Sequence, residues 1–232
     1  MKLISTLLAT IILLMACQSK KLQAVKLTDA DRKKQVEIQT TKGVIVVKLY
    51  NETPLHRDNF LILVKNRFYD SVLFHRVIKD FMAQAGDPDS KTAEGGKKLG
   101  DGGLNYTIPA EFNTNLYHKR GALAAARTNN PTKASSSCQF YLVQGVVFNA
   151  NLIAAAKQKG RWPASITPAQ QQVYTTLGGT PHLDQNYTVF GEIVTGLPVL
   201  ENIANAATNP GDRPVENIRI LSMKLIKPIK VK

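Results

Sequence analysis

Apolar and polar residues alternate through Val36-Glu37-Ile38-Gln39-Thr40-Thr41, and β-branched side chains fill most of Val44-Ile45-Val46-Val47-Lys48-Leu49. With Lys42-Gly43 between them, the two runs predict a β-hairpin. Thr53-Pro54 then supplies a cap and a first-turn proline, and Phe60, Leu61, Leu63 and Val64 follow at near-helical spacing until Asn66-Arg67, which predicts one amphipathic helix. Strand character returns at 73–78, 81–85, 121–126, 139–143, 188–194 and 218–226, with a short helix over 197–203. Two helices among about eight short strands predict a mainly β fold. We expect a closed eight-stranded antiparallel β-barrel capped by two α-helices, because closure removes exposed strand edges.

Two stretches interrupt this pattern. Residues 149–179 carry an Ala- and Lys-rich run, then Thr167-Pro168, three glutamines and Gly178, the punctuation of a helix. This predicts a two-helix insertion, with Trp162, the only tryptophan, pinning it to the barrel. Residues 86–105 are rich in glycine and lysine but lack the Gly-Lys-Ser/Thr ending of a phosphate cradle. A flexible rim loop is the expectation there.

The N-terminus changes the picture of where the protein works. Lys2 precedes an apolar run over 3–16, shorter than the roughly 20 residues a transmembrane helix needs and suited to a signal-peptide core. Ala16-Cys17 resembles a bacterial lipobox, so residues 1–16 read as a signal peptide, Cys17 as the lipidation site and 17–33 as a tether. The expected location is the cell envelope, lipid-anchored to a bacterial membrane and facing the periplasm or exterior. The folded domain then spans 34–232, expected as a monomer.

Charge and cysteines narrow the chemistry further. The formal net charge is +13, yet the lysines are scattered through loops and termini without a finger or RNP-type motif, which argues against nucleic acid. The only other cysteine, Cys138, lies in an apolar run and reads as a small buried hydrophobe. No His, Cys or carboxylate spacing suggests a metal site, and Ser135, Ser136 and Ser137 lack the hydrolase Gly-x-Ser-x-Gly elbow. His75 reads as a satisfied core histidine on the strand face opposite Arg76.

The candidate chemistry lies at 74–87. Phe74-His75-Arg76, then Phe81-Met82-Ala83-Gln84-Ala85-Gly86-Asp87, put a permanent cation among apolar side chains with a glutamine eight residues on. Together with 121–127, 137–143 and 182–192, the last two holding Ser137-Cys138-Gln139-Phe140 and Val189-Phe190-Gly191, these blocks resemble the cyclophilin-type peptidyl-prolyl cis-trans isomerases in order and rough spacing. The resemblance extends to a bacterial lipoprotein form with an inserted helical segment.

That resemblance implies a peptidyl-prolyl cis-trans isomerase acting on proline-containing polypeptides, assisting the folding of exported proteins and needing no cofactor. It implies catalytic roles for Arg76, Phe81 and Gln84. It implies substrate contacts from Met82, Ala126, Arg127, Gln139, Tyr141, His182, Leu183 and Tyr187. Four of these depart from the usual pattern. Tyr141 stands where phenylalanine is frequent, so its hydroxyl needs a partner; Tyr187 replaces a histidine, Arg127 an asparagine, and His182 a tryptophan that supports cyclosporin binding. Weak drug sensitivity follows. A peptide-binding or chaperone-like module with weak turnover, using the 149–179 segment to hold a partner, is the alternative reading.

Overall fold

The structure, a computed structural model, describes residues 24–94 and 97–229. The expected signal peptide and Cys17 lie outside those residues. The strands are β1 (Gln35–Thr40), β2 (Gly43–Leu49), β3 (Phe74–Ile78), β4 (Met82–Ala85), β5 (Thr107–Ile108), β6 (Ala122–Ala125), β7 (Ser135–Ser136), β8 (Phe140–Val143), β9 (Val189–Thr195) and β10 (Ile220–Ile226). The helices are α1 (Asp29–Arg32), α2 (Pro54–Lys65), α3 (Ala150–Gln158), α4 (Pro168–Thr176) and α5 (Leu197–Ala204). Eight strands form one antiparallel sheet in the order β10-β1-β2-β9-β6-β8-β4-β3, while β5 and β7 pair separately.

The mainly β expectation holds, but the closed barrel does not. The sheet curls without joining β3 to β10 as a ladder; one isolated bridge, Leu73–Arg219, marks the seam. Hydrogen bonds from Phe74 N to Ile218 O (2.9 Å) and from Ile220 N to Val72 O (2.8 Å) stitch only its end. Beyond that point an irregular stretch containing Pro210 and Pro214 takes the place of a strand, and Val77 N donates to Asp212 O at 2.7 Å. Proline has no N–H to offer a ladder, so the edge of β3 is covered by loop instead.

The sheet has two apolar faces. Ile38, Ile45, Val47, Ala83, Ala85, Leu123, Phe140 and Leu142 point inward, where α2 contributes Phe60 and Leu61 and α5 contributes Leu200 and Ile203. Phe60 meets Tyr69 and Phe140 at ring distances of 5.1 and 5.5 Å. Met82, Ala122, Ala124, Tyr141, Val143 and Val189 form a second, outward cluster. Cys138 belongs to the inner core, and burial pushes its thiol up to about 11. It stays a thiol at neutral pH and has no thiolate reactivity.

Several local expectations are refined. The hairpin turn is made by Thr41 and Lys42, with Gly43 at φ +128° opening β2. Thr53 precedes α2 but its hydroxyl does not cap it. The Glu111 carboxylate does so from another part of the chain, accepting from Leu55 N and His56 N, each at 3.0 Å. Between β8 and β9 the two expected helices are present, and Thr167 and Gln170 form a capping box on α4. Trp162 packs against Phe148 and Tyr174 within that segment, at 5.1 and 6.1 Å between rings. Tyr174, fully buried, carries the contact onward to Tyr117 and Asp184.

Candidate active site

The site is built on the outward face of β3, β4, β8 and β6. Arg76 pairs with Gln84, Gln84 with Tyr141 and Tyr141 with Ala124, so one cross-strand row carries the cation, the amide and the aromatic ring. A bulge makes this possible. Phe74 and Arg76 are two residues apart and would share a face under simple alternation. Phe74 pairs with Ala85 and Arg76 with Gln84, however, so His75 is the extra residue of the bulged strand. Phe74 therefore enters the core while Arg76 faces out.

Bulging has a consequence for His75. Its side chain is buried and neither ring nitrogen has a hydrogen-bond partner among the described residues, contrary to the satisfied histidine expected. Burial lowers its pKa to about 4. The ring is therefore neutral at physiological pH.

Arg76, Phe81, Met82, Gln84, Ala126, Arg127, Tyr141, Leu183 and Tyr187 line one cleft of about 110 Å3. Ala122 and Ala124 on β6, with Ala126 just after it, make a thin outer face, which leaves depth beside the bulkier Tyr141. Two expected contacts, His182 and Gln139, are not among those lining residues. His182 stacks on Phe81 with rings 5.6 Å apart and 21° from parallel. Gln139, 5% exposed, is turned toward the glycine-rich loop.

Each lining group is fixed by its neighbours. Arg76 Nε donates to Asp212 Oδ2 at 3.3 Å, and its terminal nitrogens have no hydrogen bond among the described residues. Asp80 takes φ +62° in the tight turn between β3 and β4, which swings Phe81 to the pocket. Phe81 O accepts from Gln144 N and Gly145 N, each at 3.0 Å, and Asp80 N donates to Gln144 Oε1 at 2.6 Å.

The Gln84 amide is oriented by a chain of constraints. Gln139 Nε2 donates to Gly100 O and Gly102 O at 2.8 and 2.7 Å, so its Oε1 must be the acceptor for Gln84 Nε2 at 2.9 Å. Gln84 keeps its oxygen and one N–H for another partner. The loop expected to be flexible is tied down over 97–104. Asp87 Oδ2 accepts from Gly100 N at 2.6 Å, Arg213 donates to Lys97 O at 2.8 Å, and Ser137 Oγ accepts from Leu104 N at 2.9 Å.

The Tyr141 hydroxyl meets His118 Nε2 at 2.9 Å, and His118 Nδ1 meets Asp184 Oδ1 at 2.8 Å. Since a carboxylate accepts, Nδ1 carries the proton and Nε2 accepts from the tyrosine. Burial holds the Tyr141 phenol well above its usual range, so it stays neutral. On the rim, the Arg127 guanidinium lies 4.6 Å from the Tyr187 ring centre and donates to Asn186 O at 2.9 Å. Its charge is thereby held beside the opening.

A second chain, Glu111–His56–Ser135, has the order of a hydrolase triad, with contacts of 2.6 and 2.9 Å. Ser135 is 1% exposed and sits in the β5–β7 pair, so the arrangement fastens α2 to β7 and offers no nucleophile to solvent. Asp212, His118, Asp184 and Gln144 all act on the cleft and escaped sequence reasoning. Each is distant in the chain from the residue it holds. Among the described residues no group of three His, Cys, Asp or Glu side chains is placed to hold a metal, and no helix is long and apolar enough to cross a membrane.

Comparison with known proteins adds an independent line. The profile described as cyclophilin type peptidyl-prolyl cis-trans isomerase/CLD matches residues 35–225. A Staphylococcus aureus relative named as a peptidyl-prolyl cis-trans isomerase is 38% identical over 190 residues, covering 82% of this chain and 90% of its own length. A Staphylococcus saprophyticus relative of the same name is 36% identical over 191 residues, with the same coverage. The fold is similar to the crystal structure of a Cryptosporidium parvum cyclophilin type peptidyl-prolyl cis-trans isomerase, with TM-score 0.60 and 22% identity over 84% of this chain and 99% of that one. A structure of that protein in the presence of the dipeptide Ala-Pro gives a TM-score of 0.59.

Proposed function

The chain belongs to the cyclophilin-type peptidyl-prolyl cis-trans isomerases, and we propose that its chemistry takes place in the cleft beneath Arg76. As an isomerase it accelerates rotation about the bond preceding proline, which unaided crosses a barrier of about 20 kcal/mol set by amide resonance. The observation that carries the assignment is the cross-strand row Arg76–Gln84–Tyr141 beside the apolar walls Phe81, Met82 and Leu183.

Rotation out of plane removes conjugation and returns a lone pair to the proline nitrogen. Arg76 has two terminal nitrogens without partners among the described residues, so it can hold the carbonyl and meet that lone pair with no proton transfer. Phe81, Met82, Tyr141 and Leu183 take the proline ring and exclude water, which strengthens the cation's hold. Gln84, with one N–H and its oxygen free of Gln139, fixes the adjoining peptide. Ala126, Arg127 and Tyr187 border its path, while His182 and Gln139 act as supports. About four decades of acceleration correspond to 5 to 6 kcal/mol. A charge-assisted hydrogen bond contributes roughly 1.5 to 3 of that, and peptide alignment supplies the remainder.

The apolar run ending at Ala16-Cys17 supports a lipid-anchored enzyme of the bacterial cell envelope that acts on exported polypeptides. Titrating an Ala-Ala-Pro-Phe peptide into labelled protein tests the cleft. Shifts should centre on Phe81, Ala126 and Leu183; shifts centred elsewhere would reject the site. Mass spectrometry of the mature N-terminus tests the anchor, for which a lipid mass on Cys17 is expected and an unmodified cysteine excludes it.

A further inference from the structure

One wall of the cleft is carried by a 3-10 turn at Pro181–Leu183 and the stretch that follows it. Leu183 and Tyr187 both come from it. Its backbone closes on itself, with Leu183 N donating to Thr180 O at 3.1 Å and Tyr187 N to Leu183 O at 3.2 Å. At its centre Asp184, whose side chain is only 9% exposed, reaches away from the cleft. One carboxylate oxygen accepts from His118 N and Nδ1, both at 2.8 Å, and the other accepts from the Tyr174 hydroxyl at 2.6 Å.

His118 is fully buried, and its Nε2 accepts from Tyr141 on the opposite side of the pocket. Asp184 therefore ties the wall to the floor. Tyr174 adds the far end of the chain. It is the only buried residue of α4, and α3 has none. Phenylalanine would bury nearly the same apolar surface there, so the hydroxyl serves Asp184 and not the packing alone. The chain returns from α4 at Gly179, where a Cβ would lie 2.2 Å from His118 O and 2.7 Å from Tyr174 Cε1. Only glycine lets that return run so close to His118.

We propose that Tyr174 and Asp184 are positioning residues of the proline pocket, through which the α3–α4 segment sets the distance between the Leu183–Tyr187 wall and the Tyr141 floor. The inference rests on the cleft being the peptide site. It gives the helical segment a role in peptide affinity, while Arg76 and Gln84, on β3 and β4, keep their own supports.

The test compares wild type, Tyr174→Phe, Asp184→Asn, the double variant and Gln170→Ala. Gln170 also ties α4 to the body, through Thr114 O at 2.7 Å, but is outside the Asp184 chain. Affinity for an Ala-Ala-Pro-Phe peptide is read by NMR titration, turnover by cis-trans exchange, and folding by melting and Trp162 fluorescence. Tyr174→Phe should weaken peptide binding and raise KM by about 3- to 10-fold with kcat within about 2-fold, the range of such indirect couplings. The double variant should be no worse than Asp184→Asn, and Gln170→Ala should match wild type. Unchanged affinity in Tyr174→Phe, equal losses in Gln170→Ala, or independent losses in the double variant would each overturn the proposal. A wild type that binds peptide without turnover would count against the assigned chemistry and leave the affinity comparison intact.

Discussion

Gln84 donates to Gln139 Oε1 at 2.9 Å, while Gln139 commits its own amide hydrogens to the carbonyls of Gly100 and Gly102. The glycine-rich loop thus sets the orientation of a side chain in the cleft. Gln139→Glu keeps the shape but sets a carboxylate against two carbonyl oxygens. We expect kcat/KM to fall about 10-fold and stability by roughly 2 kcal/mol, with faster amide exchange at Gly100. Denaturant melts and hydrogen exchange check this, and an unaltered loop would refute the link.

Asp212 holds Arg76 from the loop that covers the edge of β3. The ion pair is about two-fifths exposed on each side, so its effect on stability is small, within about 0.5 kcal/mol. Its effect on the aim of the guanidinium is larger. Asp212 has φ +62°, a conformation asparagine also tolerates, which makes Asp212→Asn the clean substitution. A loss of about 3- to 10-fold in kcat/KM with an unchanged melting temperature is expected.

The buried, unpartnered His75 gives the fold an acid limb. Its folded pKa, lowered to about 4, lies below the ordinary 6.5. The unfolded chain therefore binds the extra proton first, and stability is full above pH 6.5 and declines as pH falls toward 4. The total loss is roughly 3 kcal/mol. Carboxylates such as Glu192, held low by Lys119 and Lys48, add their own loss at lower pH. Urea melts from pH 7 to 4 should show His75→Gln with a flatter slope between 6.5 and 4; identical slopes would remove His75 from the account.

Turnover should behave differently from stability. Burial holds Tyr141 well above its usual range, and burial together with Arg161 keeps His182 below its own. An arginine keeps its proton throughout. We therefore expect kcat/KM to be flat from pH 6.5 to 9, measured by NMR exchange because that readout needs no protease. A bell-shaped profile would indicate a general base that this mechanism lacks.

Much of this site was legible because its residues lie close in sequence. Met82 and Gln84 share a face by alternation, and the helix over Phe60 to Val64 has a clear apolar stripe. The bulge at His75 was not legible, because nothing in Phe74-His75-Arg76 marks an extra residue until the partner strand is known. Closure was expected from the count of strands, whereas the stretch beside β3 that carries Pro210 and Pro214 forms no strand. The two-residue strands β5 and β7 are too short to leave a pattern. Long-range partners were invisible for the same reason: Asp212 lies 136 residues from Arg76, and Asp184 lies 66 from His118. Tertiary contact alone pairs them.

In the proposed mechanism Arg76 stabilises the twisted amide, and peptide binding rests mainly on the apolar walls. The direct measurement is cis-trans exchange of an Ala-Ala-Pro-Phe peptide by wild type, Arg76→Ala and Arg76→Lys, with peptide affinity recorded for each. A kcat loss of about 100-fold or more is expected in Arg76→Ala, as when a single transition-state donor is removed elsewhere. Affinity should change only a few-fold, and lysine, lacking the planar fork, should recover only part of the rate. An Arg76→Ala enzyme that keeps kcat within about 3-fold of wild type while losing affinity would contradict that mechanism.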